Sequence, residues 1–241
     1  MKKADCAIFL TLILIVALIL SGCVPPSTIA PSKEAEYHNK IGLAYLNEGK
    51  VQLAFVEFQK AAQIEPNNKD IVYNLGIVYM QLEDYEKAKQ HFIKAVNLDP
   101  AFADAYNNLG VTYMQLEQWH DAVASFKKAL SNVLYRTPEK AFYSLGLSYY
   151  RLGDYGKSVD AFKDSIRRDY TFVLPYYGLA LAYNKLERFG EAADAMDKAI
   201  IVDPAYQGKR DKKIEDMKER LYTAKGNDEK DIRDFLEIMN Y

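Results

Sequence analysis

A period of 34 residues constrains this chain more than any other feature. Gly42 and Tyr45 recur as Gly76 and Tyr79, and the same offset carries Ala54, Phe58, Ala61 and Pro66 onto Ala88, Phe92, Ala95 and Pro100. A third copy supplies Gly110, Tyr113, Ala122, Phe126 and Ala129. Two further residues intervene before a fourth, with Gly146, Tyr149 and Phe162 and with Ser158 and Ser165 at the small positions. A fifth has Ala180, Tyr183, Ala192, Ala199 and Pro204, and Met196 stands where the others have Phe. The copies occupy residues 35–68, 69–102, 103–136, 139–172 and 173–206. In-phase copies of this length mean stacked supersecondary units rather than one globular core.

The residue types have mechanical reasons. In each copy a first helix runs to a polar turn such as Gln81 to Lys87, and a second helix ends near a proline. Gly and Ala fall where the two helices cross, because only small residues let backbones approach closely, and Tyr and Phe fill the space beside them. Pro66, Pro100 and Pro204 cannot continue a helix and mark the joints between copies. The pattern resembles the tetratricopeptide repeat family. The reading is an all-α solenoid, a right-handed superhelix of antiparallel helix pairs with five repeats and C-terminal capping helices.

Residues 207–241 read as that cap. Ile214, Met217 and Leu221 form one stripe of a charge-rich segment, with Lys212, Lys213, Glu215, Asp216, Lys218 and Glu219 assigned to the polar remainder. After Gly226-Asn227-Asp228 comes a short helix with Ile232, Phe235, Leu236 and Met239 as its apolar face. It either folds back as a degenerate sixth repeat, docks on a partner or stays disordered.

The other end reads differently. From Ala7 to Leu20 every residue is apolar except Thr11, which is too short for a membrane span of roughly 20 residues. With Lys2 and Lys3 ahead of it, the run fits an export signal over residues 1–22, an uncleaved amphiphilic anchor being the alternative. Leu20-Ser21-Gly22-Cys23 resembles a bacterial lipobox, which implies cleavage before Cys23, diacylglycerol on its thiol and an acylated new amino terminus. Residues 23–34, with three prolines, form a lipidated tether. Cys6 leaves with the leader, so the mature chain has neither free thiol nor disulfide. Losing Lys2, Lys3 and Asp5 takes 31 basic and 33 acidic residues to 29 and 32, close enough to neutral to argue against nucleic acid.

In such arrays the first helix of each copy lines the inner face, and in this family the second, fifth, ninth, twelfth and thirteenth residues usually contribute. The fifth positions are Asn39, Tyr73, Asn107, Tyr143 and Tyr177; the ninth are Leu43, Ile77, Val111, Leu147 and Leu181. At the twelfth, Met80, Met114, Tyr150 and Asn184 follow Leu46. These residues predict a peptide-binding groove with an apolar floor, amide and phenol hydrogen-bonding groups and two adaptable methionines. The ninth and twelfth residues equally suit packing against neighbouring helices. The fifth and ninth positions carry no charge, which argues against a clamp for acidic tails. Arg151 and Lys185 at the thirteenth are either peptide-orienting or solvated charges.

Catalytic and metal patterns are lacking in the sequence. His38, His91 and His120 fall at different repeat positions, and no His pair at metal spacing, phosphate loop or nucleophile elbow is present. His38 sits at a packing position. The expectation is a protein that is not an enzyme and has no cofactor beyond the covalent lipid on Cys23.

The inserted stretch between copies three and four reads as an exposed loop with Tyr135 and Arg136, closed by Thr137 as N-cap and Pro138 in the first helical turn. With the lipobox, the early repeats, Leu134-Tyr135 and Pro138-Glu139, and the flanking Asn107-Asn108 and Leu145-Gly146, the chain resembles the type IV pilus biogenesis lipoproteins called pilotins. That resemblance implies binding to secretin subunits and help in localising or assembling them at the outer membrane. The family typically has six repeats where this chain shows five. The alternative is a periplasmic scaffold lipoprotein that recruits cell-wall hydrolases or other envelope enzymes. Val24 rather than Asp after the anchor favours the periplasmic face of the outer membrane over the inner.

Overall fold

The computed structural model describes residues 31–240, so the leader, Cys23 and most of the tether lie outside the described residues. Within them the chain is all helix: α1 (Pro31–Asn47), α2 (Val51–Ile64), α3 (Lys69–Gln81), α4 (Tyr85–Leu98), α5 (Ala103–Gln115), α6 (Trp119–Leu130), α7 (Pro138–Arg151), α8 (Tyr155–Arg168), α9 (Leu174–Lys185), α10 (Phe189–Val202), α11 (Arg210–Leu221) and α12 (Asn227–Ile238). This is the solenoid that the periodicity predicts.

One close approach repeats through the array. Phe58, Phe92, Phe126 and Phe162 are fully buried. A Cβ on Gly42, Gly76 or Gly146 would lie 2.6 Å from the matching ring, and one on Gly110 2.7 Å from Phe126. Ordinary contact begins about 0.8 Å farther out, so any side chain there forces the helices of a copy apart. Each buried Phe contributes about 1.5–3 kcal/mol of transfer free energy. Phe162 also faces the next copy, where a Cβ on Gly178 would lie 2.4 Å from its ring.

The turn inside each copy is a second constant. One residue enters the left-handed region: Gly49, Glu83, Glu117, Gly153 and Glu187. The following N–H then bonds back to the carbonyl five residues earlier, as in Lys50 to Tyr45, Asp84 to Tyr79, Gln118 to Tyr113, Asp154 to Tyr149 and Arg188 to Tyr183, at 2.8–3.0 Å. This closes the first helix in a Schellman arrangement. The second helix starts at once, with the Asp84 and Asp154 carboxylates accepting from Lys87 and Lys157 N–H.

Each first helix packs on its own second helix and on that of the preceding copy; successive first helices also touch, whereas successive second helices do not. The array therefore curves with α1, α3, α5, α7 and α9 on the inside. Serines follow the same logic in the fourth copy: buried Ser158 and Ser165 donate to the Gly146 and Glu139 carbonyls, at 2.9 and 2.7 Å.

Two sequence expectations need correction. The insertion exposes Val133 and Leu134, which are 95% and 83% exposed, whereas Tyr135 turns inward and is buried. The turn is pinned by Asn132, whose amide donates to the Ala101 carbonyl and whose Oδ1 accepts from Leu134 N–H. Thr137 stands at the N-cap position but its hydroxyl donates to the Tyr135 phenol instead of capping the helix. At the chain's end the last two helices cap the array as expected, and of the alternatives for the final helix the structure shows the fold-back: α11 rests on α10 and α12, and α12 reaches both helices of the fifth copy. Ile232, Ile238 and Met239 of this segment are buried in the core that closes the array.

Candidate functional site: the inner face

Along copies one to three the inner face is an open trough. Leu43 is exposed, and Ile77, Met80, Val111 and Met114 are half-buried. Successive first helices are tied by polar side chains, as Asn74 Nδ2 donates to Asn39 Oδ1 and Asn108 Nδ2 donates to the Tyr73 hydroxyl, both at 2.9 Å. Asn107 in turn donates to Asn108 at 3.3 Å. The Tyr73 ring packs on Phe102 and Phe92, with centroids 4.8 and 5.7 Å away. Burial pushes its phenol up to about 12, with the Asp104 carboxylate adding to the effect. The rim is acidic, since Glu36, Asp70 and Asp104 are exposed at the second position of these three copies. His38 sits behind the trough with Nδ1 2.6 Å from Glu57 Oε2, a boundary residue in a polar pair.

Copies four and five look different. Tyr143 lies between Phe172 and Phe162 at 5.4 and 5.9 Å, and burial again pushes its phenol up to about 12. Tyr150, Tyr177, Leu181 and Asn184 are buried and Leu147 is half-buried. The cover is α12. Arg151 grips Asp231 with both guanidinium nitrogens, at 2.6 and 3.1 Å, while stacking over the Tyr150 ring. Lys185 Nζ lies 2.5 Å from Asp234 Oδ2. The Phe235 and Tyr177 rings meet edge to face, with centroids 5.7 Å apart. Arg151 and Lys185 are therefore not free: both hold carboxylates of the chain itself, with Arg151 half-buried and Lys185 still facing solvent.

Lys213 also departs from its sequence expectation. It is only 6% exposed, with Nζ 4.3 Å from the centroids of both Tyr177 and Tyr206. Burial pulls its ammonium below the usual lysine range, an effect the Asp203 carboxylate opposes. Tyr177 donates to that same Asp203 at 3.0 Å. Between α7, α9, α11 and α12 a cleft of about 420 Å³ stays open, with Tyr143, Leu147, Tyr177 and Leu181 on the array side and Asp231 and Phe235 on the helix side. Among the described residues no cluster of His, Cys, Asp or Glu is arranged to hold a metal.

Sixteen inner-face positions were thus expected to form one groove. Eight of them, from Asn39 to Met114, line the open trough; the other eight, from Tyr143 to Lys185, lie where α12 sits. A signal for the latter existed in Asp231-x-x-Asp234-Phe235, two acids one turn apart beside an aromatic, but only the fold brings them to Arg151 and Lys185.

Comparison with known proteins agrees with the repeat. Tetratricopeptide repeat family models match residues 45–93, 78–117, 101–170 and 143–208, running without a gap from the first copy into the cap. The chain is a tetratricopeptide repeat protein. No curated protein sequence matches it. Among solved structures it is similar to MamA, at 25% identity over 70% of this chain and 92% of that one, with a TM-score of 0.65. PilF of Pseudomonas aeruginosa matches at 21% over 72% and 78% (TM-score 0.65). PilW, described as a widely conserved type IV pilus biogenesis factor, matches at 22% over 70% and 77% (TM-score 0.64). The fold is common to all three.

Proposed function

We propose that this protein is an exported, lipid-anchored docking scaffold that assists type IV pilus biogenesis by binding secretin subunits and helping to localise or assemble them at the outer membrane. The observation that carries the reading is the conjunction, in one chain, of the Leu20-Ser21-Gly22-Cys23 lipobox with a repeat array whose inner trough is half open. Lipid on Cys23 would hold the protein at the bilayer, since each buried methylene contributes about 0.8 kcal/mol, and the array would present the trough to its partner. Support for the pilus in particular comes from the Leu134-Tyr135 and Pro138-Glu139 stretch and from PilF and PilW among proteins of similar fold.

Two measurements test this. Intact-mass analysis of protein from a two-membrane bacterium should show a chain starting at Cys23 with diacylglycerol on its thiol and a third acyl chain on its amino group; an unmodified thiol on an uncleaved leader removes the anchor. Affinity capture from envelope extracts should enrich secretin subunits. Enrichment of cell-wall hydrolases without secretin would replace the pilus reading with the hydrolase scaffold.

A further inference from the structure

We infer that α12 is a built-in occupant of the inner face over copies four and five, and that this face is a docking site for a partner's amphipathic helix carrying two carboxylates one turn apart followed by an aromatic residue. The inference deepens the reading of the inner face as the binding surface and rests on it.

The chemistry of the occupant defines the partner. Asp231 and Asp234 lie three residues apart, on one face of a helix, and each meets a cation at the thirteenth position of a different copy. Phe235 adds an edge-to-face contact with Tyr177. This is the helix-in-groove mode of recognition, with charge setting the register and an aromatic as anchor. No counterpart of either cation exists in the first three copies, whose thirteenth positions are Asn47, Gln81 and Gln115.

The cover is also incomplete: Ile232, Ile238 and Met239 hold α12 on the closing core, while its Phe235 side borders open space. Here a cleft of about 420 Å³ separates Phe235 from Leu147 and Leu181. A partner with a bulkier apolar face could fill that space while keeping both ion pairs. The linker back to α11 is suited to movement, with Tyr222 at 90% exposure and Gly226 in the left-handed region. While α12 stays in place, the apparent affinity for any competing helix falls by the fraction of molecules in which the face is free.

The test uses a fluorescein-labelled peptide of residues 226–240 and the full chain in detergent. Asp231→Lys with Asp234→Lys repels the protein's own α12 from Arg151 and Lys185, so this variant should bind the peptide at least tenfold more tightly than the parent chain. A peptide carrying the same two lysines should bind neither protein. In the parent chain, hydrogen exchange of the α12 amides should run at least 100-fold faster than that of α9. Equal peptide affinity in a variant whose α12 amides exchange freely would overturn the inference. So would α12 amides as protected as those of α9, a measurement on the parent chain that stands even if the variant fails to fold. Failure of secretin capture leaves this inference intact; secretin capture without peptide binding would confine docking to the first three copies.

Discussion

The two halves of the inner face use the same repeat positions, yet one is open and the other is filled by the chain itself. In the first half the second position is acidic and the thirteenth is an uncharged amide, whereas in the second half those positions read Lys140 and Leu174, then Arg151 and Lys185. A helix bearing Asp231 and Asp234 finds partners only in the second half. The lesson is that a repeat scaffold supplies shape everywhere, while a few charged substitutions decide which stretch of it is occupied. The apolar floor does not discriminate, since both halves carry aliphatic side chains at the ninth position.

The largest effect should come from breaking the filled half at its centre. Phe162 is fully buried and meets both Gly146 and Gly178, so Phe162→Ala should cost about 4–5 kcal/mol in urea unfolding. Phe92→Ala, which has Gly76 alone as its glycine partner, should cost about 3–4 kcal/mol. Equal costs would mean that the two halves are packed alike. Ile238→Ala should cost about 2–4 kcal/mol, since the side chain is fully buried, and should raise hydrogen exchange in α12 while leaving α3 unchanged. Next comes the Arg151–Asp231 pair, with both side chains less than one-fifth exposed. Asp231→Asn should cost about 1–2 kcal/mol, and a double-mutant cycle with Arg151→Met should return a coupling of similar size. In the open half, Tyr73→Phe removes the acceptor of Asn108 and should cost about 1 kcal/mol without altering α12 exchange.

The last effect is one of pH, and it appears only above about pH 9. The Tyr143 phenol titrates near 12 in the folded chain and near 10 when unfolded, so its proton stabilises the fold below pH 10 and that contribution is lost as pH rises toward 12. Tyr143→Phe should flatten the alkaline fall in stability over that window, read by thermal melts at pH 9, 10 and 11. An unchanged slope would mean that the phenol is solvated despite Phe162 and Phe172 on either side of its ring.

Most of the solenoid was legible because its determinants are local and repeated: a Gly facing a Phe in four copies, a small residue at each crossing and a proline at three joints leave their mark at a near-constant spacing of 34 residues. The contacts that close the second half are not periodic. Arg151 and Asp231 are 80 residues apart, and nothing in either neighbourhood names the other. Lys213 looked like a solvated charge because its neighbours in sequence are charged; its ammonium is instead enclosed by Tyr177 and Tyr206, rings brought from two other segments. Tyr135 was misassigned for a similar reason: two inserted residues shift which side chain of the turn points inward, and periodicity is silent where the period breaks.

The left-handed turn inside each copy has a practical corollary. Two copies fill it with glycine, which enters that conformation freely, and three with Glu83, Glu117 and Glu187, for which it costs about 1–2 kcal/mol each. Since a glycine also loosens the unfolded chain by roughly 0.5–1 kcal/mol, exchanging any of these glutamates should still leave a modest surplus. The array can therefore be tightened at its internal turns, and an engineer wanting a sturdier display platform would begin at Glu83 and Glu117, since Glu187 lies two residues from the Lys185 that a visiting helix would touch.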